Sequence, residues 1–244
     1  MLETITIFDD ETANVEAQSH RITDVKEAVR DRNRVNIYID DKFFCSLDIS
    51  QVVDFHLKIG KEITAEEKQQ LKHASEFGKF YQRALEYALM RPRSSKEIRD
   101  YLKKKTLSRK VRVKNRKTGE YQTKEKQGYD ESLVPLVFSR LEERGYIDDE
   151  RFARLWVENR NVSKGTSLKK LRLELQQKGI SHQIIEHIFA ETSRNDDDEL
   201  RKIIAKKRAK YPDEQKLVQY LLRAGFNYSD ISDALSESAD SMSS

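Results

Sequence analysis

From Phe77 onward, apolar residues recur every three to four positions, the period of one buried helix face. Three stretches can be stacked on one another: SKEIRDYLKKKTL (95–107), LKKLRLELQQKGI (168–180) and EQKLVQYLLRAGF (214–226). Ile98, Leu171 and Leu217 coincide, as do Leu102, Leu175 and Leu221, and then Leu107, Ile180 and Phe226. Gly179 and Gly225 stand where a residue of positive φ would close the helix, and Thr106 takes that place in the first copy. An amphipathic helix precedes each stretch (FGKFYQRALEYALMR, DERFARLWVENR, DELRKIIAKKRAK), and another follows it (SLVPLVFSRLEERG, SHQIIEHIFAETS, YSDISDALSES). The pattern predicts a mostly α fold: three tandem three-helix repeats over 77–238, forming an elongated array in which each triplet covers its neighbour's apolar stripe. Ser132 is the predicted N-cap ahead of Pro135, whose missing N–H is harmless in a first turn. Asp148 and Asp149 are read as cap and dipole complement of the following helix. Phe152 and Trp156, at i and i+4, are assigned to packing.

The first 76 residues follow another rule. Residues 1–20 are acidic and weakly patterned, an extended arm. In RVNIYIDDKFFCSLD (34–48), Val35, Ile37 and Ile39 alternate with polar residues, and so do Phe43, Cys45 and Leu47, with Asp40-Asp41 as a tight turn between two strands. Residues 22–30 read as strand or helix. ISQVVDFHLKIG has helical spacing and stops at Gly60, and 65–76 reads as a solvated helix. The domains are therefore 1–76, a small α/β extension; 77–147, repeat 1; 148–194, repeat 2; 195–238, repeat 3; and 239–244, a disordered tail.

Repeat 1 carries an insert at about 108–128, where the other copies have five or fewer linking residues. Val111 and Val113 alternate with Arg112 and Lys114, Tyr121 and Thr123 answer across N-R-K-T-G, and Gly119 sits at a turn position, the signature of a β-hairpin. Charge now changes the picture. The chain as a whole carries only +4, yet 103–126 holds eleven Lys and Arg against Glu120 and Glu125, a local +9 on a remainder of −5. A positive charge so confined points to one anionic contact rather than a generally adhesive surface. The candidate contact residues are Lys103, Lys104, Lys105, Arg109, Lys110, Arg112, Lys114, Arg116, Lys117, Lys124 and Lys126. A second tier is Arg201, Lys202, Lys206, Lys207, Arg208 and Lys210, a basic helix that also reads as a plain solvated face. Tyr121 is placed as a cross-strand packing residue, with base stacking as its alternative. A winged helix-turn-helix would carry its wing after the third helix, whereas this hairpin lies between the second and third.

Composition narrows the function classes. With 37% hydrophobic and 36% charged residues, one thick core is disfavoured relative to slender helical units. No apolar run approaches the roughly 20 residues of a membrane span, and MLETITIFDDE lacks a basic n-region, so a cytoplasmic protein is expected. A single Cys45 precludes a disulfide framework, and its FFCSL setting predicts an inert packed thiol. Phosphate-loop, dinucleotide and H-E-x-x-H motifs are absent, and His182 and His187 are five apart, off one helix face. The reading is a non-enzymatic binding protein without metal or cofactor.

LEERGYIDDERFARLWVENR (141–160) with KKLRLELQQKGI (169–180) resembles the RecX family of bacterial recombination regulators, most specifically at Gly145, Tyr146, Ile147, Asp148, Asp149, Phe152 and Ala153. ALEYALMRPRSSKEIRDYLKKK (84–105) resembles that family's opening segment, and RVNIYIDDKFFCSLD its N-terminal extension. The resemblance implies a modular helical protein that binds the RecA recombinase filament on single-stranded DNA and modulates, usually by inhibition, its recombinase, ATPase and co-protease activities. Double-stranded DNA is a second candidate partner, and a monomer is expected. Two departures stand out: the family commonly joins the second and third helices of repeat 1 by a short linker, and its turn commonly has Gly where Asp41 stands. The residues alone leave two alternatives, an autonomous DNA-binding protein using the hairpin on phosphates, and a helical scaffold for another acidic protein.

Overall fold

The computed structural model of the chain describes residues 20–29, 31–115, 118–163, 165–192 and 195–240. It is mostly helical, with a small N-terminal sheet, and divides into two compact units, Met1–Phe80 and Tyr81–Ser244. Of the arm expected over 1–20, residues 1–19 lie outside the described residues and His20 begins a strand; the last four residues of the expected tail also lie outside them.

In the first unit, β1 (His20–Ala28), β2 (Asp31–Ile39), β3 (Lys42–Asp48) and β4 (Glu62–Ile63) form an antiparallel sheet in the order β3-β2-β1-β4. The ambiguous 22–30 segment is thus strand, and β4 is a short strand that the hydrophobic pattern did not mark. Asp40 and Asp41 both have left-handed φ, 50° and 61°, as a two-residue hairpin turn requires. The sheet props this turn: the Arg21 N–H donates to Asp40 Oδ1 (3.1 Å), and the Asp41 N–H to Thr23 Oγ1 (3.0 Å). Short acidic side chains that bond locally tolerate this backbone region, so Gly is dispensable at position 41.

Ile22, Ile37, Ile39, Cys45, Leu47, Leu57, Ile63 and Leu71 form the core of this unit. Phe43, assigned by alternation to the same face as Cys45, is 55% exposed instead. The register slips between the Ile37–Cys45 and Tyr38–Phe43 pairs, and this bulge turns Phe43 to the face of Tyr38, where the rings meet edge-on at 5.9 Å. The helix expected to reach Gly60 is only α1 (Ile49–Asp54), since His56 takes a φ of 49° and ends it. Burial pushes the Cys45 thiol up to about 11, which leaves only about one thiolate in a thousand at pH 8. Disulfide-reagent labelling at pH 8 should be slow on the native protein and fast in denaturant; equal rates in both would contradict the packed-thiol assignment.

The segments 65–76 and 77–91, expected as two helices, are one helix, α2 (Ala65–Leu89). Gly78 does not break it. An added Cβ there would lie 3.1 Å from Asp48 Oδ2 and 3.2 Å from Arg34 Nη1, so the glycine makes room for the Arg34–Asp48 ion pair.

The second unit continues with α3 (Ser95–Thr106), β5 (Arg109–Lys114), β6 (Tyr121–Lys126), α4 (Leu133–Glu143), α5 (Asp149–Ser163), α6 (Leu168–Gln177), α7 (His182–Glu191), α8 (Asp196–Lys207), α9 (Glu214–Arg223) and α10 (Tyr228–Asp240). α10 runs on through 239 and 240, where the sequence places the tail. Ile98, Leu171 and Leu217 are buried, as are Leu102, Leu175 and Leu221. Ile180 and Phe226 are buried too, but Leu107, aligned with them, is 66% exposed. The chain becomes extended at Leu107 (φ −76°, ψ 135°) to enter β5, which carries that side chain off the core. Ser132 is not a side-chain cap, for it has helical φ and ψ; Asp130 accepts from the Ser132 N–H through Oδ1 (2.9 Å) and from the Leu133 N–H through its carbonyl. Pro135 still falls in the first turn.

One pattern of contacts between helices occurs twice. Asp148 caps α5, accepting from the Arg151 N–H at 2.9 Å, but Asp149 does not serve that helix in the same way. It reaches back to α3, accepting from the Ser95 N–H and hydroxyl, both at 2.7 Å. Asp196, at the start of α8, likewise accepts from the Leu168 N–H at the start of α6 (2.9 and 3.1 Å). The C-terminal end of α6 meets the start of α3, where Lys96 Nζ donates to the Gln177 carbonyl (2.9 Å) and Lys178 pairs with Glu97 (2.7 Å). The end of α9 meets the start of α6, where Lys170 Nζ donates to the Arg223 carbonyl and the Ser167 N–H to the Ala224 carbonyl (3.0 Å). Gly179 and Gly225 sit at these two meetings. Both have positive φ, 82° and 94°, and an added Cβ would come within 2.7 Å of Lys96 Cβ and Lys170 Cβ respectively.

Candidate anion-binding surface

The last turn of α3 ends on Lys103, Lys104 and Lys105, where cations complement the negative end of the helix dipole. The chain then enters a two-stranded antiparallel ribbon. Arg109 pairs with Lys126, Val111 with Lys124, Arg112 with Thr123 and Lys114 with Tyr121, and the turn closes with the Asn115 N–H donating to the Glu120 carbonyl (2.8 Å). Directly opposed residues share a face. One face therefore presents Lys110, Arg112, Lys114 and Tyr121, with Glu125 beside them, and the other presents Arg109, Lys124 and Lys126, with Val111 and Val113. Every described side chain of β5 and β6 is exposed except Val111, which is half-buried. Tyr121 lies 5.9 Å from both Arg112 and Lys114, consistent with a packing role within its own face.

The ribbon is pinned where it leaves the helices. The Ser108 hydroxyl donates to Gln127 Oε1 (2.9 Å), and the Tyr129 N–H to the Lys105 carbonyl (3.0 Å). Gly128 lies so close to the Thr106 carbonyl that any Cβ would overlap it. Gly128 is a structural residue that sequence reading missed; its only signal is that glycine is scarce in this chain.

Of the eleven first-tier candidates, Arg116 and Lys117 lie outside the described residues. Among the described residues, none of the other nine is ion-paired, in contrast to many cations elsewhere. The α8 group differs: Arg201 pairs with Glu237 (2.9 Å) and Lys202 with Glu199 (3.2 Å), while Lys207 and Lys210 lie over the Tyr220 and Tyr211 rings. At least two of those six cations are thus neutralised internally. Trp156 packs against the core of α5–α7 and donates its indole N–H to Glu174 (3.0 Å), as a packing residue should. No three His, Cys, Asp or Glu side chains among the described residues are placed to share a metal ion. No described helix is long and apolar enough to cross a membrane.

Comparison with known proteins bears on both units. The family described as the regulatory protein RecX N-terminal domain matches residues 20–64, and the second three-helix domain of RecX matches 148–187. The chain is 29% identical over 223 residues to the regulatory protein RecX of Bacillus licheniformis and 28% identical over 223 residues to that of Bacillus subtilis; each match covers 88% of this chain and 76% of the relative. A crystal structure of regulatory protein RecX superposes with a TM-score of 0.65 at 23% identity, over 88% of this chain and 99% of that one, a likeness of fold.

Proposed function

The chain belongs to the RecX family of regulatory proteins, and on that premise we propose that it binds a RecA filament on single-stranded DNA and inhibits its recombinase, ATPase and co-protease activities. The observation that carries the reading beyond the family name is the exposed ribbon whose described cations make no ion pair and outnumber its carboxylates. Desolvating or neutralising carboxylates at home would weaken it; left unpaired, it is suited to a partner rich in phosphate or carboxylate.

In this reading α2–α4, α5–α7 and α8–α10 are three copies of one triplet, with domains at 77–147, 148–194 and 195–238 following a 1–76 extension. The twice-used Asp149/Asp196 and Gly179/Gly225 contacts support that division. The ribbon is an insertion into the first copy, since α6 to α7 and α9 to α10 are joined by short links. The protein acts as a cytoplasmic monomer by binding, not by catalysis. RecA-catalysed ATP hydrolysis on single-stranded DNA should fall several-fold when this protein is added at stoichiometric amounts; an unchanged rate rejects the proposal.

The unpaired cations also favour a second reading, an autonomous DNA-binding protein. Affinity without RecA should then fall steeply with salt, because phosphate contacts release counterions. A flat salt dependence would reject it.

A further inference from the structure

At the ribbon's root, α2, α3 and both strands enclose a cavity of about 230 Å3. Its walls bring together Arg83 from α2, Lys104 and Lys105 from α3, Arg109 from β5, Lys126 from β6, and Tyr129 beyond the ribbon; no carboxylate lines it. Among the described residues none of these five cations is ion-paired. Four of them belong to the charge run, but Arg83 lies more than twenty residues upstream of the insert and only the fold delivers it. We propose that this cavity seats one backbone phosphate of a nucleic-acid strand, with Arg83, Lys105 and Arg109 as its principal donors.

Several observations converge on that ligand. Like charges gathered around a partly enclosed space repel one another, and an anion inside relieves all of them at once. Lys105 registers this: its pKa is lowered, first by burial and then by Arg109, Arg83, Lys104 and Lys126. Lys105 also rests over the Tyr101 ring at 4.9 Å, a contact that keeps its ammonium at the wall. A phosphodiester presents several acceptor oxygens, which guanidinium forks bind in pairs. A lone carboxylate offers fewer acceptors to five cations. The space suits a phosphate group with a few waters, each occupying about 30 Å3 in the liquid. The clip at Gly128, Ser108 and Gln127 fixes both ribbon strands at the cavity mouth, so Arg109 and Lys126 are held in place on either side of it. A strand anchored here would continue along the exposed cations of the ribbon.

The inference rests on the reading of the ribbon as a DNA-contacting element and is independent of RecA. The test is fluorescence anisotropy of a labelled oligothymidylate titrated with full-length protein across a salt series. Arg83→Ala and Lys105→Ala should each raise Kd about tenfold and lower the slope of log K against log salt by about 0.7, one phosphate contact to a single strand. Lys72→Ala, which removes an exposed α2 cation that does not line the cavity, should change Kd less than twofold. Arg83→Lys should fall between wild type and Arg83→Ala, since it keeps the charge without the fork. Should Arg83→Ala melt early, Arg83→Lys and Lys105→Ala carry the test. Losses no larger than that of Lys72→Ala, or no binding by wild type, overturn the proposal. So does a result in which the variants lose affinity for polyglutamate but not for the oligonucleotide, which would assign the cavity to a protein carboxylate. RecA-dependent ATP hydrolysis measured on the same variants separates the two readings: cavity-dependent DNA binding without any effect on RecA rejects the filament proposal alone, and the converse rejects the cavity alone.

Discussion

Replacing residues 109–126 by two glycines is expected to weaken binding to single-stranded DNA by at least about 100-fold at low salt, while leaving the helical units folded. The two halves of this expectation have separate physical grounds. Eight cations and two carboxylates leave with the segment, so the net charge passes from +4 to −2. Each lost phosphate contact lowers the salt slope by about 0.7, and several together account for two or more decades at low ionic strength. Stability should be insensitive because no described side chain of β5 or β6 is fully buried, and a two-stranded ribbon alone is marginal at best. Its ends already lie together, with Tyr129 bonded to Lys105 across the junction, so a short link spans the gap without strain. Shortening the connection also lowers its closure entropy slightly, by less than about 2 kcal/mol. Anisotropy at two salt concentrations and a thermal melt measure the two halves. Retained affinity would remove the ribbon from the DNA interface, and a collapse in Tm would make it a structural element.

The elements readable from sequence were those whose signal is local. The hairpin of β2 and β3 follows from strict alternation and a two-Asp turn, and the apolar positions of α6 and α9 from coincidence with each other. Misplaced residues all involve non-local events. Phe43 left the core face because of a register slip, which alternation within one strand does not encode. Leu107 matches Ile180 and Phe226 in spacing, but the chain turns extended at that residue to enter β5. Segments 65–76 and 77–91 read as two helices, but one helix runs through both, and glycine at 78 leaves room for Arg34 and Asp48 from the sheet.

The candidate site divides along the same line. The charge of 103–126 is contiguous, so sequence reading found it. Arg83 belongs to the cavity at the ribbon root but sits on a helix with nothing to distinguish it from other solvated cations. Tyr129 is equally unremarkable until its backbone closes the root. Asp149 reads as a complement to its own helix by proximity, whereas in the fold it accepts from Ser95 at the start of α3.

The second large effect is expected at Gly225. Gly225→Ala should destabilise the protein by about 2–4 kcal/mol and Gly145→Ala by only about 1 kcal/mol. Both glycines follow helices and both have positive φ, 94° and 71°, so the backbone strain of an L side chain is common to them. They differ in surroundings. Nothing lies within 4 Å of a Cβ at Gly145, but at Gly225 it would overlap the Ser167 hydroxyl and approach Lys170 Cβ to 2.7 Å. Ser167 has little freedom to move, being 1% exposed. Its hydroxyl accepts from the Lys170 N–H (3.2 Å) as the N-cap of α6, and its own N–H donates to the Ala224 carbonyl (3.0 Å). Displacing it would therefore strain a cap and the hydrogen bond between α6 and the end of α9 together, each worth about 1 kcal/mol. Urea midpoints of the two variants give the comparison. If they shift equally, the close approach between α9 and α6 yields at no cost, and backbone conformation alone explains glycine at both positions.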